Sequence, residues 1–366
     1  MSLPHSPQKP MQPSSPTMND VAANAGVSIA TVSRVVGGKG GVRPELEQRV
    51  RRAIHELGYR PNQAARRLRE RKARIIGVLV TDIQIPFFAS IVVGIDRILQ
   101  EAGYLALLGN TFDSPASEQT HLNNFLSEGV SGVIFAAVNS QDTANFGRLR
   151  DAGVPLVAID RTPGDLQVDT VQVANLQAAS QAVSHFIQEG HLRIALIAGP
   201  NHISTAVERQ AGYEQALRLA GLPLDPALIQ VGGYTLEGGY RAMRALMENP
   251  DRPTAVFIAN NVMTLGALQY VNDQAVEIPA DIAVIGYDDM PWAASLRPPL
   301  TVVAQPDYEI GVQAARLMLD RIREPDSSIK HITLDARLVL RASCSCGKEM
   351  AQLRSDPSIL SSTRRR

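Results

Sequence analysis

The sequence predicts an α/β protein in which a doubly wound, parallel-sheet body follows a small all-helical head, and three observations carry that prediction. From Arg74 onward, short apolar runs rich in β-branched residues alternate with amphipathic stretches. Unbroken apolar strands of this kind need cover on both faces, which parallel sheets between helix layers provide. Ahead of them, residues 17–57 show apolar residues at helical spacing, punctuated by capping residues and a glycine turn. The charge divides at the same place: residues 18–72 carry 12 Lys or Arg against 5 Asp or Glu, and residues 73–346 carry 18 against 29, although the whole chain sums to zero. A basic head on an acidic body fits nucleic-acid binding through the head alone.

In order along the chain, residues 1–16 hold five prolines and little apolar content, so they are expected to be disordered. Thr17 caps a first helix, with Asp20 as its acidic capping-box partner and Val21, Ala22 and Ala25 on one face. Gly26 supplies a turn, Val27 fills the angle, and Ser28 caps a second helix that buries Val32, Val35 and Val36. Ile29, Ala30, Thr31, Ser33 and Arg34 then face outward, where the start of such a helix can meet base edges in a DNA major groove. An ordinary helical hairpin would show the same spacing. The loop GGKGGV at 37–42 lacks the preceding strand and the Lys-Ser/Thr step of a phosphate-binding loop. Pro44 opens a third helix ending at Leu57, with Leu46, Val50, Ile54 and Leu57 inward and Gly58 as the stop.

Residues 59–72 form a joint. Pro61 biases Arg60 to an extended backbone, and Asn62 can cap the short helix NQAARRLRER, which has almost no apolar stripe. A helix this short does not offset its nucleation cost without packing. It is either a solvated linker or a segment that folds on DNA. In the second case Ala64 and Ala65 permit close approach of two copies, and Leu68 is a wedge that unstacks a base step.

In the body the apolar runs begin at Ile75, Tyr104, Ser131, Val154, Arg193, Thr254 and Asp281. Ligands of open α/β sheets bind beyond the carboxyl ends of the strands, and there stand Asp82, Asn110, Asp160, Arg161, Asn260, Asn261, Asp288 and Asp289. The only tryptophan, Trp292, is placed to be either a pocket lid or a packing residue. Cys344 and Cys346 are too few for a disulfide framework or a structural zinc site, and the seven histidines form no ligand-spaced pair, so neither metal nor cofactor is expected. No apolar run approaches bilayer length, and the proline-rich start lacks a signal-peptide core, so a cytoplasmic protein without membrane contact is expected. An enzyme finds no support, because neither a G-x-S-x-G nor a Walker motif is present. A sugar-binding transport protein would suit the body but not the basic head.

AGVSIATVSRVV at 25–36 and ELGYRPNQAARRL at 56–68 are specific motifs, and with them the chain from Thr17 to about Arg341 resembles the LacI/GalR family of bacterial transcription regulators. The resemblance implies a helix-turn-helix head (17–60), a hinge helix (61–72), and a periplasmic-binding-protein-like effector body (73–346). That body divides into subdomains at about 73–172 and 173–302, with the remainder crossing between both and a disordered tail at 347–366. It implies a ligand-responsive regulator, in most cases a repressor of carbohydrate genes. Its partners would be a second copy, near-palindromic double-stranded operator DNA, and a small effector such as a monosaccharide or derivative. Ile29, Ala30, Thr31, Ser33 and Arg34 would meet the major groove, while Asn62, Ala65, Leu68 and Arg69 would serve the hinge and minor groove at a central pyrimidine–purine step. Arg209, Asn260, Asp288 and Gln305 match sugar-contacting positions, Asp160 an acidic one, Phe87, Phe88 and Tyr234 aromatic ones, and Thr81 a small polar one. A sugar needs such bidentate donors and acceptors beside aromatic rings. Departures limit the match: Ile85 stands where many members have Asn, and Asn261 where the lac repressor is acidic, so lactose-type galactosides are not implied. Ile29 and Ala30 resemble the galactose-repressor branch. The tail shows no leucine heptads of the tetramerising kind, which favours a dimer.

Overall fold

The computed structural model describes residues 16–36, 41–59, 74–164 and 166–344. Two compact units, residues 1–73 and 74–366, divide the chain. In the first, α1 (Met18–Ala25), α2 (Ile29–Val36) and α3 (Pro44–Leu57) enclose one apolar centre. Its start is fixed by reciprocal capping, since Thr17 N donates to Asp20 Oδ2 at 2.7 Å and Asp20 N donates to Thr17 Oγ1 at 3.4 Å. Thr17 Oγ1 also donates to Asp20 Oδ2 at 2.7 Å, and this bond, with the one from Thr17 N, holds the Asp20 carboxyl below its ordinary value. Gly26, in the left-handed region at φ 60°, turns the chain into α2, whose first turn is capped by Thr31 N donating to Ser28 Oγ at 3.2 Å. Val21, Ala25, Val32 and Val50 are the buried centre, with Val27, Val35, Val36, Ile54 and Leu57 packed around them. Ala53 and Tyr59 also belong to it, whereas Leu46 is only half-buried.

The second unit has two six-stranded sheets. The first, in the order β11-β5-β4-β3-β1-β2, is built from β1 (Ile75–Val80), β2 (Leu105–Asn110), β3 (Gly132–Phe135), β4 (Leu156–Ile159), β5 (Asp169–Val173) and β11 (His331–Leu334), all parallel. Helices α4 (Pro86–Glu101), α5 (Pro115–Glu128), α6 (Ala144–Asp151) and α11 (Asp307–Arg323) belong to this half. The second sheet, β12-β10-β9-β8-β6-β7, comprises β6 (Ile194–Ala198), β7 (Ile229–Val231), β8 (Ala255–Ile258), β9 (Ala283–Tyr287), β10 (Thr301–Ala304) and β12 (Arg337–Val339), the last antiparallel to β10. Its helices are α7 (Asn175–Gln188), α8 (Ser204–Leu219), α9 (Leu236–Met247) and α10 (Asn261–Asp273). Central strands β1, β3, β4, β6, β8 and β9 are buried along their whole length. That is why they read as unbroken apolar runs.

The chain passes between the halves three times, from β5 into α7, from β10 into α11, and from β11 into β12. Ala336, in the last passage, packs against both cores. The halves are thus joined by three short backbone segments, an arrangement suited to hinge motion. Five strands escaped the sequence reading: β5, β7, β10, β11 and β12. β5, β7, β11 and β12 carry polar residues within their three to five positions, so no unbroken apolar run marks them.

Cys344 is disulfide-bonded, a single bond and not a framework. Its sulfur is fully buried, 3.1 Å from Thr301 Oγ1 and 3.3 Å from His185 Nε2.

Candidate functional site

Between the carboxyl ends of the two sheets lies a narrow cavity. All nine effector-site residues expected from sequence line it: Thr81, Phe87, Phe88, Asp160, Arg209, Tyr234, Asn260, Asp288 and Gln305. The chain brings them together by strand ends. Thr81 follows β1, Asp160 follows β4, Asp288 follows β9 and Gln305 follows β10, while Asn260 caps α10 by accepting from Val262 N at 2.8 Å and Met263 N at 3.1 Å. Pro86 opens α4 and sets Phe87 and Phe88 in its first turn, their rings edge-to-face with centroids 5.1 Å apart. Asp113, Asp160, Tyr234 and Asp288 all adopt positive φ, between 52° and 72°. Strained non-glycine backbone of this kind persists where the surroundings over-determine it, and here all four line one cavity.

Arg209, buried on α8, is held from three sides. Its Nε donates to Asn175 Oδ1 at 2.9 Å, its Nη1 donates to Ala259 O at 2.7 Å, and its guanidinium lies 3.7 Å over the Tyr287 ring. Burial works against its charge, but Tyr287, Tyr234, Asp288 and Asp160 outweigh it and hold the group more firmly protonated than usual. Asp288 accepts from Gln305 Nε2 and from Asn261 Nδ2, both at 2.6 Å. Burial raises its carboxyl and that of Asp160 above the ordinary value, with Arg209 opposing both shifts.

Beyond the nine, Arg161, one of the strand-end residues marked in the sequence, is joined here by residues the sequence does not mark. Arg161 donates from Nη1 to Asp113 Oδ1 at 2.7 Å and to Ala137 O at 3.0 Å, so it ties the loops after β2, β3 and β4 together beside the cavity. Asn175 also accepts from Tyr287 Oη at 2.9 Å and donates to Glu208 at 3.0 Å. It locks a passage between the halves onto Arg209, but in sequence it reads as an ordinary first-turn helix residue. Ser140 and Ser204 bridge the halves at the cavity's flank: Ser204 N donates to Ser140 Oγ at 3.1 Å, and Thr162 N donates to Ser204 Oγ at 2.8 Å. No local pattern marks such a pair. Other polar strand-end residues brace loops instead. Asn110 accepts from Ile83 N, Asp82 from Gln84 N, and Asp289 pairs with Arg341 at 2.8 Å. Trp292 packs against the second core and does not line the cavity.

Three buried acids, Asp160, Asp288 and Glu118, and the half-buried Glu208 have carboxyls raised chiefly by burial. A raised folded-state value means the folded protein holds protons that the unfolded chain releases. The stability linked to these groups is full below the ordinary values of 3.8 and 4.5 and is lost as pH rises through the folded values. Relative to a Glu118→Gln variant, which lacks one of these titrations, the full chain should therefore lose melting midpoint as pH rises above the ordinary value of 4.5. Parallel calorimetric pH profiles of the two proteins would contradict it.

On the head, Ile29, Ala30 and Arg34 are exposed, and Thr31 and Ser33 half-buried, along α2. Ile29 is 49 % exposed, unusual for an isoleucine at the first turn of a helix. Asn62, Ala65, Leu68 and Arg69 lie outside the described residues. Among those described, no group of acidic, His or Cys side chains is placed to hold a metal ion, and no helix is long and apolar enough to cross a membrane.

Comparison with known proteins places this geometry. Residues 17–62 match the family model of bacterial regulatory proteins of the lacI family, and residues 183–344 match the periplasmic binding protein-like domain. The chain is 36% identical to the HTH-type transcriptional repressor CytR of Escherichia coli K12 over 332 residues, covering 91% of this chain and 97% of that protein. It is 37% identical to the HTH-type transcriptional regulator CelR of Thermobifida fusca over 336 residues, covering 90% and 98%. Among solved structures, a CelR–cellobiose complex matches with TM-score 0.69 at 36% identity over 90% of this chain and 99% of that one. The lac repressor dimer bound to operator and the anti-inducer ONPF matches with TM-score 0.81 at 26% identity, also over 90% and 99%.

Proposed function

Because the chain belongs to the LacI family of bacterial regulatory proteins, and is therefore a DNA-binding transcription regulator and not an enzyme, we propose that it represses carbohydrate-metabolism genes under control of a small sugar-like effector held in the inter-sheet cavity. The observation that carries this reading is the convergence of nine polar and aromatic side chains from both halves on that one cavity. Paired acceptors and donors around Arg209 and Asp288 suit ring hydroxyls, and Phe87 and Phe88 suit the apolar face of a sugar.

In this reading residues 17–60 dock on DNA, 61–72 act as the hinge, and 73–346 bind the effector and a second copy. Ile29 suits a thymine methyl, and Arg34 a guanine or a phosphate. Thr31, Asn62 and Arg69 contact mainly phosphates, giving affinity and salt dependence but little sequence choice. Ala64 and Ala65, being small, would let two copies approach across the two-fold axis. The exposed apolar residues Leu105 and Leu108 on β2 and Val231 on β7, the outer strands of the two sheets, support a homodimer. A two-fold pair requires a near-palindromic operator. The site of action is the cytoplasm, where the DNA is.

An effector that fits the closed cleft better than the open one shifts the halves about their three joining segments, and it acts only through that difference in affinity. Fluorescence anisotropy of the full chain, on a duplex selected from a random pool and with added sugars, tests the whole reading. A near-palindromic site whose affinity changes with one sugar is expected, and failure to bind any duplex would sink it. In the same assay Leu68→Ala should weaken selected-site binding by about 10- to 100-fold, as loss of a kink worth a few kcal/mol implies. Binding to random duplex should hardly change, and equal losses on both would remove the wedge role.

A further inference from the structure

The first passage between the halves is wired to the cavity by one side chain. Asn175 is buried, with 1% of its surface exposed, and all four hydrogen-bonding positions of its amide are filled. Its Nδ2 donates to Val173 O at 3.2 Å and to Glu208 Oε2 at 3.0 Å, while its Oδ1 accepts from Arg209 Nε and from Tyr287 Oη, each at 2.9 Å. Val173 ends β5 of the first half, and the other three partners belong to the second. Between Val173 and Asn175 stands only Ala174, whose φ of −71° and ψ of 64° make an inverse γ-turn. Ala174 N donates to Leu334 O at 2.9 Å, which fastens the first passage to the third. The second passage repeats the pattern, since Gln305, two residues ahead of α11, donates to Asp288 at 2.6 Å. Arg209 and Asp288, which line the cavity from the second half, thus each bond to a residue at a passage.

Any turn of one half against the other alters the backbone angles of these passages. At Ala174 such a turn draws the Val173 carbonyl away from the Asn175 amide, and a buried donor that loses its partner is costly. The amide keeps its bonds only by moving with the passage, and Arg209 must then follow the Oδ1 it is bonded to. We propose that Asn175 is a positioning residue that couples the place of Arg209 in the cavity to the angle of the first passage. Asn175 does not line the cavity, so it acts through Arg209. The inference rests on the reading of Arg209 as an effector contact.

A charge-conserving exchange isolates the tie. In the full chain, Asn175→Asp with Glu208→Gln keeps the acceptor for Arg209 and Tyr287 and reverses the bond between positions 175 and 208. Only the bond to Val173 O is lost, and two oxygens are left facing each other there. The separation of the halves is read without ligand by pulsed electron-spin resonance. Nitroxides sit on Asn124→Cys in α5 and Ala245→Cys in α9, both exposed, with labelled chain diluted into unlabelled. The exchange should shift the mean distance by about 2 Å or more, or add a second population. Glu208→Gln alone still offers the Asn175 amide an acceptor and should leave the parent's distribution. An unchanged distribution in the exchange variant overturns the inference. An equal shift in the single variant does so too, because it assigns the effect to the Glu208 charge. Should the exchange variant fail to fold, Asn175→Ala, which drops the whole tie, is measured against the same expectation.

A second arm uses glucose, ribose and xylose as probes. A sugar that changes the parent's affinity for the selected duplex by about fivefold or more should still bind the exchange variant to within about tenfold, because Arg209 keeps its partners. Its effect on duplex affinity should fall below about twofold. A full response would overturn the coupling. If none of the three binds, the sugar reading of the cavity loses its support, while the distance arm still decides the role of Asn175.

Discussion

Arg209→Ala is expected to abolish the ligand-induced thermal shift and the response of operator binding to effector, and also to lower the stability of the ligand-free body. Removing the side chain takes away the cation facing Asp160 and Asp288, leaves Asn175 Oδ1 with only Tyr287 Oη as donor, strands the Ala259 carbonyl, and uncovers the Tyr287 ring. Hydrogen bonds to a charged group contribute about 1.5–3 kcal/mol each, so losing the two to Asn175 and Ala259 costs about 3–5 kcal/mol. For a body of this size that is a fall of roughly 6–15 °C in melting midpoint. Because the head is a separate unit with its own core, DNA binding at a temperature below the lowered midpoint should persist without effector control. A variant that melts like the parent would show that Arg209 is not the centre of this network. One that melts lower but still answers the effector would separate the structural role from the ligand role.

Gly311→Ala tests how two walls of the cavity are placed. Gly311 on α11 and Gly94 on α4 meet across a close crossing, where a methyl on Gly311 would overlap the Ile91 carbonyl and one on Gly94 the Tyr308 carbonyl. Helix propensity alone favours alanine over glycine by about 0.5–1 kcal/mol. Overpacking against backbone that cannot step aside costs about 1–3 kcal/mol or more, so destabilisation should win, with a midpoint lower by roughly 2–6 °C.

The functional loss should be larger than the stability loss. α4 begins with Phe87 and Phe88, and α11 begins two residues after Gln305, so spreading this crossing moves two sides of the cavity apart. Effector affinity is expected to drop by about tenfold or more, as small misplacements of a binding constellation do. The double variant with Gly94→Ala should lose less than the sum of the two, because the first substitution already opens the gap the second needs. A stabilised Gly311→Ala protein, or strict additivity, would remove this account.

Much of this protein could be read before any coordinates. The capping box of Thr17 and Asp20, the Gly26 turn and the valine face of α2 are local rules with local causes, and each appears where its residues predict it. The central strands were legible because burial on both faces makes them apolar throughout, and the strand-end polar residues because parallel sheets place ligands there. The identity of the nine cavity residues came through resemblance, since no spacing along the chain links Thr81 to Gln305.

What the tertiary structure alone decided is of another kind. Short edge strands such as β7 and β12 exist because a neighbour pairs with them, and three residues cannot announce that. Asn175, Arg161 and the Ser140–Ser204 bridge acquire their roles only when residues separated by 34 to 64 positions meet. The lack of a partner for Thr81 Oγ1 and Gln305 Oε1 among the described residues is likewise a fact about their surroundings, for a sequence records which groups are present but not which have found partners. Local propensity and periodicity are properties of neighbours along the chain. Burial, strain and hydrogen-bond satisfaction are properties of neighbours in space, and the function of this cavity depends on the second set.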